Sequence, residues 1–255
     1  MTPPPTRTIS MLSPLTLRSD IAREAATTYW ATTHATKVTK LPNICEYNQR
    51  LFSATDHGFW PASPTVGTTV SPEWRFDGCA EVRFTGMLPM LATGAHAREV
   101  YLDEQNVFAT VLGHPTGPGG GRWWLTDGFN DTLTTHVALL LRRRQGVRSR
   151  AFRAFVHDKL STALLAAGAE DLRTYTFLPW TPLAHTSPGV GHHNPVEHRF
   201  HAMTLFGVAS REAVDDMLDT PAITALVATQ HEVLTAVHAY AVERSLPIIR
   251  MGQRP

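Results

Sequence analysis

The sequence of 255 residues is poor in cysteine, with Cys45 and Cys79 as its two examples. Two cysteines are too few for the disulfide framework of a small secreted protein, and their spacing does not match that of a zinc ribbon. We therefore expect both thiols to be reduced. The length exceeds the usual size of one domain, about 100 to 150 residues, so two modest domains are predicted.

The sequence also lacks an excess of charge of either sign. Its 23 basic and 22 acidic residues give a formal net charge of +1. Such a chain has no electrostatic surplus with which to neutralise a phosphate backbone or an anionic bilayer. The most clustered basic run, residues 142–144, ends an apolar stretch and is typical of a strand that leaves a sheet for solvent. We predict no nucleic-acid partner.

The sequence also lacks long hydrophobic runs. No apolar stretch approaches the roughly 20 residues that a membrane-spanning helix needs. The proline-rich residues 1–5 lack the apolar segment of a signal peptide. We therefore expect a cytoplasmic protein without a membrane partner.

The order of predicted elements indicates an internal repeat. In the first half, Ser19 or Asp20 is expected to cap a helix that runs to about residue 39. Strands are predicted at 8–12, 44–52 and 74–84, with a loop at 59–72. Helical stretches to about 100 and 108 follow, and then a short extended piece before a linker at 115–121.

The second half repeats this order. Its predicted elements are strands at 136–142, 172–178, 199–208 and 246–249, a helix at 150–167, a loop at 180–197, and a helix from 211 to about 244 that is kinked at Pro221. The sequence therefore predicts an α+β fold: two ferredoxin-like βαββαβ repeats, residues 1–127 and 128–255, that close into a fused dimeric α/β-barrel. The chain would be a monomer with fused repeats or a homodimer.

Polar residues of the first half fall on defined faces of these elements. Trp30 and His34 lie four residues apart on one helix face. The strand at 74–84 alternates, so that Cys79 and Glu81 share one face and Phe76, Ala80, Val82 and Phe84 share the other. Because the apolar face suits the helices, we expect Cys79 and Glu81 to face the inside of the barrel.

Three motifs of the first half resemble the EthD-like family of dimeric α/β-barrel proteins. The motifs are YW-x3-H, LP-x4-Y-x-Q and FDG-x-AE-x-x-F, carried here by Tyr29, Trp30, His34, Leu41, Pro42, Tyr47, Gln49, Phe76, Asp77, Gly78, Ala80, Glu81 and Phe84. The resemblance covers roughly residues 8–110, whereas the second half resembles the family only in its order of elements.

The resemblance implies a pocket inside the barrel. Relatives use that pocket for cofactor-free isomerisation of lactones and for decarboxylation or cyclisation of aromatic polyketide-like acids. In lactone-isomerising relatives it holds a helical histidine, a strand tyrosine, a further histidine and a cysteine. On this sequence those positions fall on His34, Tyr47, His57 and Cys79.

The chemistry of these side chains is compatible with that implication. A histidine titrates near neutral pH, so His34 could take or give a proton, and Tyr47 could donate to an enolate oxygen. Glu81 and Cys79 are further candidate acids or bases. The alternatives are purely structural roles: His34 is a packing residue, Cys79 is a small core residue and Glu81 pairs with an arginine. Residues expected to contact substrate are Trp30, Gln49, His57, Tyr175 and His201.

Aligning the two halves places Leu160, Met203 and Leu205 opposite His34, Cys79 and Glu81, whereas a tyrosine persists at Tyr175. The second half thus has apolar residues where the first half has a histidine, a cysteine and a glutamate, which favours one functional pocket per chain. The histidines of the second loop, among them His185 and the adjacent pair at 192–193, could form a lid or a metal loop. Because adjacent residues of an extended chain face opposite sides, we predict no metal there.

The function predicted from the sequence is that of a cofactor-independent lyase or isomerase acting on a hydrophobic, oxygenated, cyclic small molecule. Isomerisation, decarboxylation, cyclisation and cofactor-free oxygenation all stay open, because each needs the same acid/base and oxyanion groups. One alternative is a haem-binding barrel of the chlorite dismutase-like type with a histidine as axial ligand. Another is a protein that binds a small molecule without converting it.

Overall fold

The computed structural model describes residues 6–124, 133, 135–181 and 186–250. Within these residues, eight strands close into an antiparallel barrel in the order β3-β2-β9-β6-β8-β7-β5-β1, and β1 pairs again with β3. A ninth strand, β4, pairs with β1 beside β5. The strands are β1 Ile9–Leu17, β2 Ile44–His57, β3 Gly78–Phe84, β4 Phe108–Val111, β5 His114–Trp124, β6 Thr135–Arg143, β7 Glu170–Phe177, β8 Ala202–Val208 and β9 Leu234–Ile249.

The strand order shows the duplication directly. The first repeat contributes β2-β3-β1-β5 and the second contributes β7-β8-β6-β9, so both repeats have the same internal order. The two sheets join where β2 pairs with β9 and where β5 pairs with β7. The predicted fold, a fused dimeric α/β-barrel built from ferredoxin-like repeats, is confirmed. The predicted division after residue 127 lies outside the described residues and stays a prediction.

Helices cover the outside of each sheet. The first-repeat helix α1 consists of the segments Arg23–Tyr29, Trp30–His34 and Ala35–Thr39, followed later by α2 Met87–Gly94 and α3 Arg98–Glu104. The second-repeat helix α4 consists of the segments Ser149–Ala154, Phe155–Leu160 and Ser161–Ala166, followed by α5 Arg211–Leu218 and α6 Pro221–Gln230. The middle segments of α1 and α4 are both π-helical. A π-turn is rare and is often found at functional sites, so its presence in both repeats supports their common origin.

The predicted cap of α1 is wrong. The helix begins at Arg23 after Ala22, and no side chain caps it. Asp20 instead accepts two hydrogen bonds from Arg18, at 2.9 and 2.6 Å. The Asp20 carboxylate is thus bonded to Arg18 and not to the first turn of α1.

Two predictions about the ends of the repeats are also wrong. The segment predicted as a linker at 115–121 is part of β5, where its glycines allow close strand contact: a Cβ on Gly120 would lie 2.9 Å from the carbonyl oxygens of Gly117 and Thr176.

The helix predicted to reach residue 244 ends at Gln230. Pro221 begins α6 instead of kinking a longer helix, and Thr220 caps it. Residues 234–249 form β9, which is buried on both faces near its start and therefore lacks a clean alternation.

The inside of the barrel is filled by side chains. Apolar residues from the strands of both repeats fill one part of it, among them Leu12, Phe52, Ala138, Leu140, Met203 and Tyr240. A buried network of arginines and glutamates occupies another part, described below. An eight-stranded barrel is narrow enough for its own side chains to fill. No helix in the described part of the chain is long and apolar enough to cross a membrane.

Candidate active site

A cavity of about 440 Å³ lies between the first repeat's sheet and the helices that cover it. Its walls are mostly apolar and come from β1, β2, β3, α1, α2, α3 and β4, with lining residues that include Met11, Leu15, Val82, Phe84, Met87, Met90 and Phe108. Leu91 of α2 lines the cavity and is 63% exposed, so α2 borders its opening. The pocket is therefore outside the barrel, and the expectation of a pocket inside the barrel is wrong because side chains fill that interior.

The π-turn of α1 places Trp30 and His34 on the cavity wall, where both are buried. The Nδ1 of His34 lies 2.9 Å from Oδ2 of Asp103. Because a carboxylate only accepts hydrogen bonds, Nδ1 carries the proton and Nε2 keeps its lone pair. Burial lowers the pKa of His34, and the nearby carboxyls of Glu104 and Asp103 offset this only in part. At neutral pH the ring is uncharged and can act as a base.

Asp103, near the end of α3, is held by several donors. Tyr29 donates at 2.6 Å and Asn106 at 3.1 Å, and Lys37 also donates to the same Oδ1 atom. Burial on its own would raise the pKa of Asp103, but the hydrogen bonds from Lys37, Tyr29, His34 and Asn106 outweigh it and lower the pKa to about 2. Asp103 is thus a fixed anion that orients the His34 ring and stabilises its protonated form.

Tyr47 of β2 lines the same cavity and is buried. Gln49 donates to the Tyr47 hydroxyl oxygen at 2.8 Å and to the Trp30 carbonyl oxygen at 2.8 Å. The hydroxyl oxygen therefore accepts a bond from the protein, and its own hydrogen can be donated to a ligand. Burial raises the pKa of Tyr47, so the hydroxyl stays protonated.

Gly78, the glycine of the FDG motif, supports this wall from the sheet. A Cβ at this position would lie 2.6 Å from the carbonyl oxygen of Arg50 and 3.0 Å from ring atoms of Trp30. Only a residue without a side chain lets Trp30 lie this close to β3.

The cavity contains polar residues that sequence reasoning missed. Glu104 lines it next to Asp103, and Tyr101 precedes them on the same helix. The Oε2 of Glu104 accepts a hydrogen bond from the Ser187 hydroxyl. The acidic pair at 103–104 ends a polar helix segment that resembles a solvated face, so the sequence carried no signal that both carboxyls are buried.

Ser187 belongs to the long loop of the second repeat, which reaches across to the first. Gly191 forms a parallel bridge with Thr110 of β4, and Val190 packs against the apolar cluster that contains Trp30 and Phe108. The His192 ring donates from Nδ1 to the Val111 carbonyl at 2.7 Å and accepts from the Ser187 backbone at Nε2 at 2.9 Å. His192 therefore fixes the loop. His185, named in the sequence analysis, lies outside the described residues.

Cys79 and Glu81 face the barrel interior, as their strand alternation predicted, and so are not brought together with His34. Burial raises the pKa of the Cys79 thiol, whose sulfur lies 3.9 Å from that of Met203. Glu81 accepts from Arg173 at 2.9 Å, from Arg50 at 3.0 Å and from the hydroxyl of Tyr175 at 2.5 Å. Burial would raise the pKa of Glu81, but the arginines outweigh it and keep the carboxylate charged.

The remaining predicted residues lie elsewhere. Tyr175 is inside the barrel with Glu81. The His57 ring, at the end of β2, lies 6.2 Å from the Tyr240 ring, and the His201 ring accepts from the backbone of Arg143 at 3.2 Å. Of the predicted set, the structure brings Trp30, His34 and Tyr47 together on the cavity wall, with Gln49 directly behind them.

The corresponding space in the second repeat is filled. Phe155, Leu160 and Leu164 of α4 pack there against β6 and β8, together with Trp60 from the loop after β2. His157 of α4 is buried, and its two ring nitrogens bond the hydroxyls of Thr174 and Thr176 at 2.8 and 3.1 Å. His157 is therefore held by two threonines of β7.

Haem, which the chlorite dismutase-like alternative requires, does not fit the residues present. Among the described residues, the first-repeat cavity wall contains no lysine or arginine to bind the propionates of haem, and it contains the carboxyl of Glu104. The second repeat's equivalent space is filled by apolar side chains. The described ranges also contain no group of three or more His, Cys, Asp or Glu residues that could hold a metal ion.

Comparisons with known proteins support the fold. No family model and no curated protein matches the chain. The chain is similar to the structure of an anthrone oxidase-like protein, with a TM-score of 0.61 at 8% identity over 98% of this chain and 96% of the other. It is also similar to a "putative monooxygenase" from Fusobacterium nucleatum, with a TM-score of 0.57 at 6% identity over 94% of both chains. A second "putative monooxygenase", from Lactobacillus acidophilus NCFM, gives 0.53 at 11% identity over 94% of both chains.

At these identities the three likenesses bear on the fold alone. They agree with the dimeric α/β-barrel that the strand order establishes, whereas the EthD-like assignment within that fold stays a prediction.

Proposed function

We propose that this chain is an enzyme that moves protons on a hydrophobic, oxygenated, cyclic small molecule bound in the first-repeat cavity, with His34 as general base and acid and Tyr47 as oxyanion donor. The observation that carries the proposal is the pairing of a neutral, Asp103-oriented His34 with a protonated Tyr47 on one apolar wall. A cavity of this size and polarity suits a small ligand of two or three rings.

The chemical step follows from these groups. Nε2 of His34 takes a proton from a carbon that is conjugated with a carbonyl, either directly or, as in anthrone, through an aromatic ring, and the electron pair of that C–H bond delocalises onto the carbonyl oxygen as an enolate. Tyr47 donates a hydrogen bond to the developing oxyanion, and Asp103 stabilises the imidazolium. Returning the proton to another carbon gives an isomer. The same enolate chemistry serves a lyase that breaks or forms a neighbouring bond.

A second candidate, cofactor-free oxygenation, is favoured by the similarity to an anthrone oxidase-like protein and to two proteins described as monooxygenases. After His34 removes the proton, the carbanion would add dioxygen to give a peroxide anion, the His34 imidazolium would return its proton to that anion, and the resulting hydroperoxide would lose water. With anthrone, one oxygen atom would enter the quinone product and the other would leave as water. Both candidates share the first proton transfer.

The test uses anthrone, a three-ring ketone with an acidic CH2 group, in D2O without oxygen. We expect the protein to accelerate exchange of the CH2 hydrogens for deuterium above the buffer rate, as followed by mass spectrometry. Admission of air then separates the candidates: anthraquinone formed with one dioxygen per anthrone supports oxygenation, whereas exchange alone supports an isomerase or lyase. Tight binding without exchange would indicate a binding protein and contradict the proposal.

Replacing Tyr47 with phenylalanine is expected to lower the rate of anthrone exchange by about 10²- to 10³-fold, because one preorganised oxyanion donor is lost. The effect should fall on kcat more than on KM, since the hydroxyl matters most when charge develops. Steady-state exchange kinetics measure kcat and KM separately. A variant with an unchanged kcat would exclude Tyr47 as the oxyanion donor.

The pH dependence of exchange follows from the direction of the His34 shift. Because the pKa of His34 lies below its ordinary value of 6.5, the base form is already dominant at neutral pH. We expect kcat/KM to rise with pH on the acid side of 6.5 and to be level from about pH 7 to 8. A profile of exchange rate against pH measures this, and a rate that declines from pH 5 to 8 would show that an acid, not a base, is required.

A further inference from the structure

The two carboxyl oxygens of Asp103 have different partners. Oδ2 accepts from Nδ1 of the His34 ring at 2.9 Å. Oδ1 accepts from the Tyr29 hydroxyl at 2.6 Å, from the Asn106 amide at 3.1 Å and from the Lys37 ammonium. Because these three donors share Oδ1, they hold the carboxylate in an orientation that keeps Oδ2 toward His34.

The π-turn of α1 lets one carboxylate reach three side chains of this helix. Tyr29 and His34 are five positions apart, and a regular α-helix would place side chains at this spacing about 140° apart around its axis. The π-helical segment Trp30–His34 accommodates an extra residue, so it returns His34 to the face of Tyr29. Lys37 follows three positions later on that face. All three side chains therefore converge on Asp103.

Lys37 brings positive charge to a buried carboxylate. The side chain of Asp103 is 1% exposed and that of Lys37 is 31% exposed. The hydrogen bond to Asp103 raises the pKa of Lys37, so its ammonium stays charged at neutral pH. An opposite charge nearby favours the charged form of a titrating group, so Asp103 alone would favour the imidazolium of His34. The ammonium of Lys37 offsets that attraction and favours the neutral ring.

The other groups around His34 act in both directions. Burial lowers its pKa most and Lys37 lowers it further, whereas the carboxyls of Glu104 and Asp103 raise it. Phe108 of β4 contacts the ring edge-on, with ring centroids 5.4 Å apart. In the described part of the chain, the titratable side chains that line the cavity beside His34 or bond to Asp103 are Tyr29 and Lys37 of α1, Tyr101 and Glu104 of α3, and Tyr47 of β2. Among these, the positive charge comes from Lys37.

We propose that Lys37 is a positioning residue that keeps His34 an uncharged base: its ammonium offsets the charge of Asp103 and, with Tyr29, holds that carboxylate for Nδ1. The proposal rests on the proposed function, because it assigns a further residue to the same site. Lys37 acts through Asp103 and not on the substrate. If Lys37 only tied α1 to α3, its replacement would lower stability but leave the protonation of His34 unchanged.

The test is an NMR titration of His34 from pH 8 to 5 on the full chain with 13C-labelled histidine and no ligand. The signal is assigned by its loss in His34→Asn. Lys37→Met keeps an unbranched side chain without the charge, and it should raise the proton affinity of His34 at least about threefold. Lys37→Arg restores the charge and should titrate as the wild type does. In each variant, the fall of anthrone exchange with decreasing pH should follow the measured fraction of neutral His34.

The matched control is Lys40→Met, which removes the same charge from an exposed position at the end of α1 and should leave the titration of His34 unchanged. An unchanged or lower proton affinity in Lys37→Met would overturn the inference. If that variant does not fold, Lys37→Gln decides by the same criterion, and failure of both to fold would assign Lys37 a structural role instead. If the titration shifts as expected but the wild type does not exchange anthrone, the proposed reaction fails while the role of Lys37 at His34 stands.

Discussion

Replacing His34 with asparagine is expected to lower the rate of anthrone exchange by about 10²- to 10⁴-fold, the usual contribution of a general base. The asparagine amide can still donate to Asp103, so the wall should keep its shape while the basic Nε2 is lost. The rate is measured by deuterium incorporation without oxygen, on protein whose folding is checked by its thermal transition. Binding of 2-naphthalenemethanol should change by less than about tenfold, because the apolar wall remains.

The matched control is His57→Asn. Sequence reasoning grouped His57 with His34, but its ring lies beside Tyr240 at the end of β2 and does not line the cavity. We expect this variant to exchange anthrone at the wild-type rate. If the His34 variant kept more than about a tenth of the rate, His34 would not be the base.

Replacing Glu81 with glutamine is expected to destabilise the fold by about 3 to 5 kcal/mol, because the buried Arg50 loses its carboxylate partner and, among the described residues, Arg173 keeps only Glu46. Glu81 accepts from both Arg50 and Arg173, and all three side chains are at most 3% exposed. Glutamine keeps the shape of the side chain but removes its charge, so the buried cluster retains its arginines with one carboxylate fewer. The free energy of unfolding, measured by urea titration, tests the value.

An exposed ion pair provides the comparison. Asp158→Asn breaks the pair between Asp158 of α4 and Arg122 of β5, and its effect on stability should be small. The Glu81 variant should still exchange anthrone per folded molecule. A variant that kept its stability but lost exchange would return Glu81 to the catalytic role that the sequence suggested.

The sequence predicted the repeated element order because periodic apolar patterns and loop composition report local structure. It also assigned the faces of β3 correctly, with Cys79 and Glu81 inside the barrel. The prediction for Phe76 was wrong, because β3 begins only at Gly78 and Phe76 packs in the same core cluster as Cys79. It could not predict on which side of the sheet space remains for a ligand. That depends on summed side-chain volumes: Phe155 and Leu160 fill the second repeat's helix–sheet layer, whereas the first repeat keeps a cavity beside Trp30 and His34.

Long-range contacts account for most of what the sequence missed in the site. His34 and Asp103 are 69 positions apart, and Ser187 and Glu104 are 83 apart, so nothing local marks either pair. The predicted secondary structure at the end of the second repeat was wrong for another reason. An apolar strand covered on both faces has no period of two, so the pattern before residue 244 does not distinguish a strand from a helix.

The most direct test of the central claim, that the first-repeat cavity outside the barrel is the functional site, is a crystal structure of the protein with 2-naphthalenemethanol. We expect the naphthalene ring to lie against Trp30 and Phe108, with the ligand oxygen within hydrogen-bond distance of Tyr47 or Glu104. Binding of the ligand inside the barrel beside Glu81 and Tyr175, or against the second repeat's helices, would contradict it.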